Sequence, residues 1–349
     1  MKLVVLGLTL SSSWGNGHAT TFRALLSAFA ARGHQVLFLE RDRPWYADHR
    51  DLPAPDFCHL AYYDSPAELE GWREPVAEAD AVIVGSYVPD GVAVGEWAQS
   101  VAPGRTCFYD IDTPVTLAKL ARGDFEYLTP GLIPGYATYF SFTGGPVLTR
   151  LEREYGSPRA RALYCSVDTA RYRPQDVPKR WDLSYLGTYS DDRQPTLARL
   201  LIDVAEACPK RRFAVAGPQY PAAIRWPANV ERIEHLPPAA HPEFYSASRF
   251  TLNVTRADMI AAGWSPSVRL FEAGACACPI ISDQWAGIET VLPGIRLAET
   301  GADVLAILAG DAEGAGEAAR AAGLARHSAA VRGAELEADL LALTEPATA

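Results

Sequence analysis

The sequence predicts an α/β protein built from two Rossmann-like, doubly wound parallel-sheet domains that face each other across a cleft. Three observations lead there. Apolar runs of strand length alternate with segments of helical spacing, as in parallel βαβ units. The alternation breaks at a charged, proline-containing stretch and then restarts. The 349 residues exceed one ordinary domain and suit two.

The elements follow in order. "KLVVLGL" is an apolar strand, "HATTFRALLSAFAARG" carries helical spacing with Gly33 as its stop signal, and "HQVLFLE" is the second strand. "DAVIVGS" and "RTCFYDI" add further strands, each followed by a polar or glycine-containing loop. The texture changes within "ARALYCSVDTARYRPQDVPKRWDLSYLGTYSDDRQP", which sets the expected domains at 1–166 and 167–349. The second domain reads as strand "WDLSYLGT", helix "QPTLARLLIDVAEA", strands "RRFAVAG" and "SRFTLNVTR", a helix within "SPSVRLFEAGACA", and strand "PIIS". The Ala-rich end, from about Asp311, is expected to close this second domain as one or two helices, with the last few residues frayed.

Composition narrows the function. Hydrophobic residues make up 48% and charged residues 21%, as in a soluble globular chain. The net charge of −10 argues against a nucleic-acid partner. The apolar start spans about ten residues, short of the roughly 20 that cross a bilayer, so no stable membrane insertion is expected. Cys58, Cys107, Cys165, Cys208, Cys276 and Cys278 are scattered without a Cys-x-x-Cys spacing, which fits reduced thiols and a cytoplasmic location.

In parallel α/β sheets ligands bind beyond the carboxyl ends of the strands, so the loops there hold the candidates. Gly15-Asn16-Gly17-His18, before the first helix, offers backbone N–H groups to an anion; with Glu40 at the end of the second strand it also half-matches a dinucleotide fingerprint. His18 reads either as a general base or ligand contact, or as a capping residue on the surface. Asp112, in "FYDIDTPVT", reads either as a base for a hydroxyl or as a helix N-cap, whereas Asp110 reads as structural. Gly144-Gly145 permits a close backbone approach or a plain turn. Thr188, Arg193 and Arg256 follow strands of the second domain and suit a diphosphate. Ser265 is the expected N-cap of the next helix and Pro266 its first residue, so the helix start at Pro266, with the free amides of Ser267, Val268 and Arg269, forms an anion site. Glu272 suits the paired hydroxyls of a ribose, and Arg269 either pairs with it at i,i+3 or reaches the ligand. "DID" at Asp110–Asp112 superficially fits a metal signature, but arginines make a cation unnecessary and no metal is expected. Trp14, Trp45, Tyr46, Tyr62 and Tyr63 suit an apolar or aromatic acceptor face, and suit a hydrophobic core equally.

"CSVDTARYRP" resembles the linker motif of glycosyltransferases with the GT-B fold, and "RLFEAGACACPIISDQWAGIE" resembles their nucleotide-sugar signature. "GTYSDDR" stands where their phosphate loop stands, and "PSVRLFEA" is similar to the CgeB-like group. The resemblance covers the second half well and the first half by architecture. It implies metal-independent sugar transfer from a nucleoside-diphosphate donor, a co-substrate rather than a cofactor, to a small-molecule, glycan or protein acceptor. Glu272 falls on the ribose-holding glutamate, Arg193 on a basic phosphate contact and Glu289 on the signature's last glutamate. Trp264 falls where retaining members carry a first glutamate, and Cys278 replaces the glycine before proline. Other expectations compatible with the residues are a nucleotide-sugar epimerase or hydrolase, a non-catalytic binder, and, from Gly15–Gly17 with Glu40, an NAD-dependent oxidoreductase.

Overall fold

The structure, a computed structural model, describes residues 1–14, 17–310 and 312–344. Two sheets carry the chain, and every strand pair in them is parallel. The first contains β1 (Lys2–Gly7), β2 (Gln35–Arg41), β3 (His59–Tyr63), β4 (Ala81–Gly85), β5 (Thr106–Asp110), β6 (Tyr139–Ser141) and β7 (Ala160–Ala162), in the order β3-β2-β1-β4-β5-β6-β7. The second contains β8 (Trp181–Leu186), β9 (Phe213–Ala216), β10 (Val230–Ile233), β11 (Ser248–Asn253), β12 (Ile280–Ser282) and β13 (Arg296–Leu297), in the order β10-β9-β8-β11-β12-β13. Both orders reverse direction once, between β1 and β4 in the first sheet and between β8 and β11 in the second. Crevices open at the carboxyl ends of such reversals because the flanking connections depart to opposite sides.

The helices that bear on the site and the cores are α1 (His18–Ala30), α2 (Pro44–Ala47), α3 (Thr113–Ala121), α4 (His241–Ser246), α5 (Ala257–Ala262), α6 (Val268–Ala275) and α7 (Ala329–Thr344). α1 buries Phe22, Leu25, Leu26 and Phe29, spaced three and four apart, against Val5, Phe38 and Ile83 of the first sheet. The second sheet has its own core of Leu183, Tyr185, Phe213, Val215, Phe250 and Leu252, covered by Leu197, Leu200, Leu201 and Val204.

The chain divides into one unit of 1–166 with 329–349 and a second unit of 167–328. The Ala-rich end therefore corrects the expected partition: 329–344 does not close the second unit but returns to the first. The physical reason is an apolar stripe. Leu336 and Leu340 on α7 are fully buried in the first core, and Gly333 lets α7 approach the backbone at Ala28 so closely that a Cβ would lie 3.0 Å from it. Polar contacts fix the register: Glu337 pairs with Arg32 and meets His34 Nε2 at 2.7 Å, and Asp339 pairs with Arg159. The expected fraying of the last residues concerns 345–349, which lie outside the described residues. No helix among the described residues is long and apolar enough to cross a membrane.

Removing these contacts tests the assignment. Leu336→Ala and Leu340→Ala should each cost roughly 2–5 kcal/mol in urea denaturation, as core truncations do. Glu337→Gln, which keeps the shape of a partly exposed pair at the surface, should cost less than either truncation.

Candidate functional site

In the second unit the sheet reversal is spanned by one side chain. Arg269, on the first turn of α6, donates through Nε to Leu186 O at the end of β8 (2.5 Å) and through Nη1 to Asn253 Oδ1 at the end of β11 (3.0 Å). Its guanidinium also lies 5.0 Å from the Tyr185 ring centroid. Asn253 is held in turn, donating to Thr255 Oγ1 (3.0 Å) and Ser282 Oγ (2.9 Å), while its Oδ1 also accepts from Ser267 Oγ (3.1 Å). Asp283 completes the lock by accepting from the amide and hydroxyl of Thr255 (2.9 and 2.7 Å). Gly187 is required here: a Cβ on it would stand 2.8 Å from Arg269 Nη2.

Arg269 thus departs from the expected i,i+3 pair with Glu272. A strand-end carbonyl and an amide oxygen satisfy it, which leaves its charge without a carboxylate partner. The expected cap also moves by two residues. Ser267, with extended backbone, is the N-cap of α6 and Val268 its first residue, whereas Ser265 and Pro266 are buried ahead of the helix. Ser267 spends its hydroxyl on Asn253 rather than on the helix amides.

Arg193 and Arg256 join Arg269. Arg193 donates to Thr188 O (2.7 Å), and its Nε is buried with no hydrogen-bond partner. Burial, and then the charges of Arg269 and Arg256, push its pKa below the ordinary guanidinium value. Arg256 is exposed at the N-cap of α5. None of the three is in an ion pair among the described residues, although Asp192, which accepts from Ala257 N (3.0 Å), senses both Arg193 and Arg256. Three cations converging without a carboxylate repel one another, and an anion relieves that repulsion. Thr188 is exposed beside them.

Glu272 sits one turn along α6, buried. Tyr245 donates to its Oε2 (3.4 Å), Tyr172 lies within hydrogen-bonding reach, and His241 Nδ1, at the start of α4, is 3.9 Å away. Burial pushes the Glu272 carboxyl up to about 7, while burial pushes the His241 imidazole down to about 4. Sequence reasoning gave no role to Tyr172, Tyr245 and His241, which lie 27 to 100 positions before Glu272; Tyr172 stands in the quoted linker motif, which marked the segment but not its contact with the glutamate, and the other two carry no motif. It also missed Tyr185, Tyr220 and Arg232. Tyr220 donates to Gly187 O (3.0 Å), and Arg232 lies 4.3 Å from the Tyr220 ring centroid and 4.7 Å from that of Trp226. Trp264 has left-handed backbone (φ 41°), and a Cβ on Gly287 would lie 2.5 Å from its indole. Such strain in a bulky residue marks a segment whose surroundings over-determine it.

In the first unit the reversal lies between β1 and β4. His18 opens α1, and its ring meets the Tyr87 ring edge-on at 5.3 Å. Its Nδ1 is buried with no hydrogen-bond partner among the described residues, and burial lowers its pKa to about 4, so it is neutral at pH 7. Tyr87 follows β4 with φ 62°, and burial followed by the charge of Asp112 raises its pKa. Asp112 is the N-cap of α3, without a side-chain cap hydrogen bond. The structure thus brings His18 and Asp112 to one tyrosine. Asp110 is buried and accepts from Tyr139 (2.6 Å), Thr116 (2.7 Å) and the Asp112 amide (3.2 Å), which is the structural role expected of it. Gly17 is exposed, and a Cβ there would meet nothing; Gly15 and Asn16 lie outside the described residues. Glu40 is consumed internally. Its two oxygens accept from Thr9 Oγ1, Ser11 Oγ, Leu10 N and Ser11 N at 3.1, 2.6, 2.6 and 2.9 Å, so a ribose would have to displace the loop's own groups.

Residues 193–338 match the model of a family described as Glycosyl transferase-like. Among solved structures the chain is similar to sucrose-phosphate synthase from Thermosynechococcus elongatus, with a TM-score of 0.68 at 15% identity, covering 98% of this chain and 100% of that one. It is similar to HepE of Anabaena in complex with UDP, with a TM-score of 0.72 at 12% identity, over 98% and 100% of the two chains. A third is AviGT4, a glycosyltransferase involved in avilamycin A biosynthesis, with a TM-score of 0.66 at 15% identity over 99% and 98%. No curated protein matches the chain in sequence. The two all-parallel sheets are those of the GT-B fold, the class to which these structures belong. Most of the second unit, the segment that holds the three arginines and Glu272, carries the glycosyl transferase-like pattern.

The Glu272–His241 pair makes a prediction about stability. Between about pH 4.5 and 6.5 the folded state keeps a proton on Glu272 that the unfolded chain has lost; the unfolded chain keeps one on His241 that the folded state has lost. The two contributions cancel in the wild type. Glu272→Gln exposes the histidine term, so relative to wild type stability should rise with pH across this window, by up to about 1.4 kcal/mol per unit. His241→Asn exposes the glutamate term, so stability should fall as pH rises from 4.5 to about 7. Urea denaturation at pH 4.5, 5.5 and 6.5 checks both signs.

Proposed function

We propose that the protein is a nucleotide-sugar-dependent glycosyltransferase whose donor binds at the sheet reversal of the second unit. The observation that carries this reading is the convergence of Arg193 and Arg256 with Arg269, on the first turn of α6, none of them in an ion pair among the described residues. Arg193, Arg256 and the amides from Ser267 to Arg269 take the diphosphate, with Thr188 beside it. As the bond to the sugar breaks, negative charge grows on the departing phosphate, and preorganised donors stabilise it more than they stabilise the intact donor. The arginines supply the charge a divalent cation would otherwise supply, so transfer proceeds without a metal. Glu272 accepts from the ribose hydroxyls. Similarity to a protein solved with UDP and with UDP-glucose makes UDP the first nucleotide to test.

On the acceptor side, His18 or Asp112 removes the hydroxyl proton if the reaction inverts, and orients substrates if it retains. A neutral His18 is in the protonation state a base needs at pH 7. "PSVRLFEA" points to the CgeB-like group within the wider family.

A thermal-shift comparison of UDP, GDP, ADP, TDP and NAD tests the reading. One nucleoside diphosphate should stabilise the wild type and fail to stabilise Glu272→Ala; stabilisation by NAD alone, unchanged in Glu272→Ala, would overturn it. With that donor, Arg193→Ala should lower the rate of diphosphate release on the order of 100-fold or more. EDTA should leave the wild-type rate unchanged.

A further inference from the structure

The aromatic residues of the first unit divide once the fold is known. Tyr46 and Tyr63 are buried, but Trp14 and Trp45 are 53% and 50% exposed. Trp14 lies in the loop after β1 and Trp45 on α2 after β2, so both stand at the carboxyl edge of the sheet. The imidazole of His49 joins them: it stacks on Trp14 with centroids 4.6 Å apart and planes 19° apart, and its Nδ1 meets Trp45 O at 3.1 Å.

This surface is rigid. Ser12 Oγ donates to His49 O (2.8 Å), Leu52 N to Ser11 O (2.9 Å), and Ser13 donates to Asp51 through its amide and hydroxyl (2.9 and 2.8 Å). Arg23 clamps Asp51 with both guanidinium nitrogens (2.9 and 2.7 Å), which together with Ser13 holds that carboxyl well below its usual range. Beneath it, Glu40 freezes residues 9–11. Two indoles, each half exposed and held beside one another's loops by such a frame, keep apolar ring surface in water at a strand-end edge, which suits a surface kept for a ligand.

Arg43 gives the surface a charge. Its guanidinium lies 5.5 Å from the Trp45 ring centroid and takes part in no ion pair or hydrogen bond among the described residues, where its Nε is buried without a partner. The neighbouring arginines are all occupied: Arg41 by Asp90, Arg50 by Asp42 and Arg23 by Asp51. Arginine stacked on indole offers its edge to a carboxylate or phosphate while the indole face takes a flat, weakly polar ring.

We infer that this platform binds the acceptor, and that the acceptor carries a ring with a flat apolar face next to an anionic group. The inference rests on the glycosyltransferase reading for the word acceptor, but not for the ligand chemistry. Two sources share that chemistry, an acidic sugar and an aromatic acid. Two matched probe pairs separate them: methyl β-glucuronide against methyl β-glucoside, and 4-hydroxybenzoate against 4-hydroxybenzyl alcohol. Binding is followed by tryptophan fluorescence and by saturation-transfer NMR on the wild type, Trp45→Ala and Arg43→Gln.

The anionic member of one pair should bind the wild type, and its affinity should fall about tenfold in each variant, the loss in Arg43→Gln bringing it to the level of the neutral member. Which pair responds names the source. Equal binding of charged and neutral members, affinities unchanged in Arg43→Gln, or no binding of any probe would overturn the proposal. So would a concentration-dependent dimer in sedimentation that Trp14→Ala and Trp45→Ala abolish, which would give the face to a second copy of the chain. The UDP thermal shift on the same variants keeps the two readings apart. A retained shift with no probe binding sinks the platform alone; probe binding without any nucleotide shift sinks the transferase reading alone.

Discussion

Everything in the second unit is arranged around a repulsion. Arg193, Arg256 and Arg269 are brought within electrostatic reach of one another, and among the described residues no carboxylate forms an ion pair with any of them, although Asp192, Glu272 and Asp283 feel their charge. A folded chain tolerates uncompensated charge only where the surroundings hold it in place. Here the hold is visible bond by bond: Leu186 O and Asn253 fix Arg269, Thr255 and Ser282 fix Asn253, and Asp283 fixes Thr255. The residues that hold Arg269 lie at or just beyond the carboxyl ends of β8, β11 and β12, so the sheet itself sets where that cation sits.

The first unit treats charge in the opposite way. Its two deepest carboxylates at the strand ends, Glu40 and Asp110, are saturated by hydroxyl and amide donors and serve as internal pins for the loops after β1 and β5. Beside these pins stand a half-buried neutral histidine and a tyrosine in a strained backbone, and the two tryptophans are half exposed. The second unit gathers arginines at its sheet reversal, whereas the first presents aromatic rings beside Arg43, which is in no ion pair among the described residues.

Much of this organisation was readable in the sequence, for reasons that differ by element. The central strands β1, β2, β4, β5, β8, β9, β11 and β12 are apolar runs because both sheet faces are covered, and parallel strands so buried announce themselves. The remaining strands β3, β6, β7, β10 and β13 lie toward the sheet edges, where β6, β7 and β13 have three residues or fewer and β3 and β10 are half-exposed. They carry too little apolar signal to stand out. The Ala-rich α7 was recognisable as a helix, but the partner of Leu336 and Leu340 lies some 300 positions earlier, and no local pattern encodes that return. The site shows the same split. Arg193, Arg256, Arg269 and Glu272 announced themselves as charges in post-strand loops and on a small apolar helix. Their actual partners did not: whether Arg269 turns to Glu272 or to Leu186 O depends on where β8 ends relative to α6. The shift of the N-cap from Ser265 to Ser267 has the same origin, since Ser267 is drawn to Asn253 across the sheet.

The measurement that bears most directly on the account is a crystal structure of the protein grown with UDP. The account places the diphosphate against Arg193, Arg256 and the amides of Ser267–Arg269, with the ribose hydroxyls on Glu272 and the internal bonds of Arg269 intact. A diphosphate bound instead at the loop before α1, or one bound with Arg193 and Arg256 turned away from it, would contradict it.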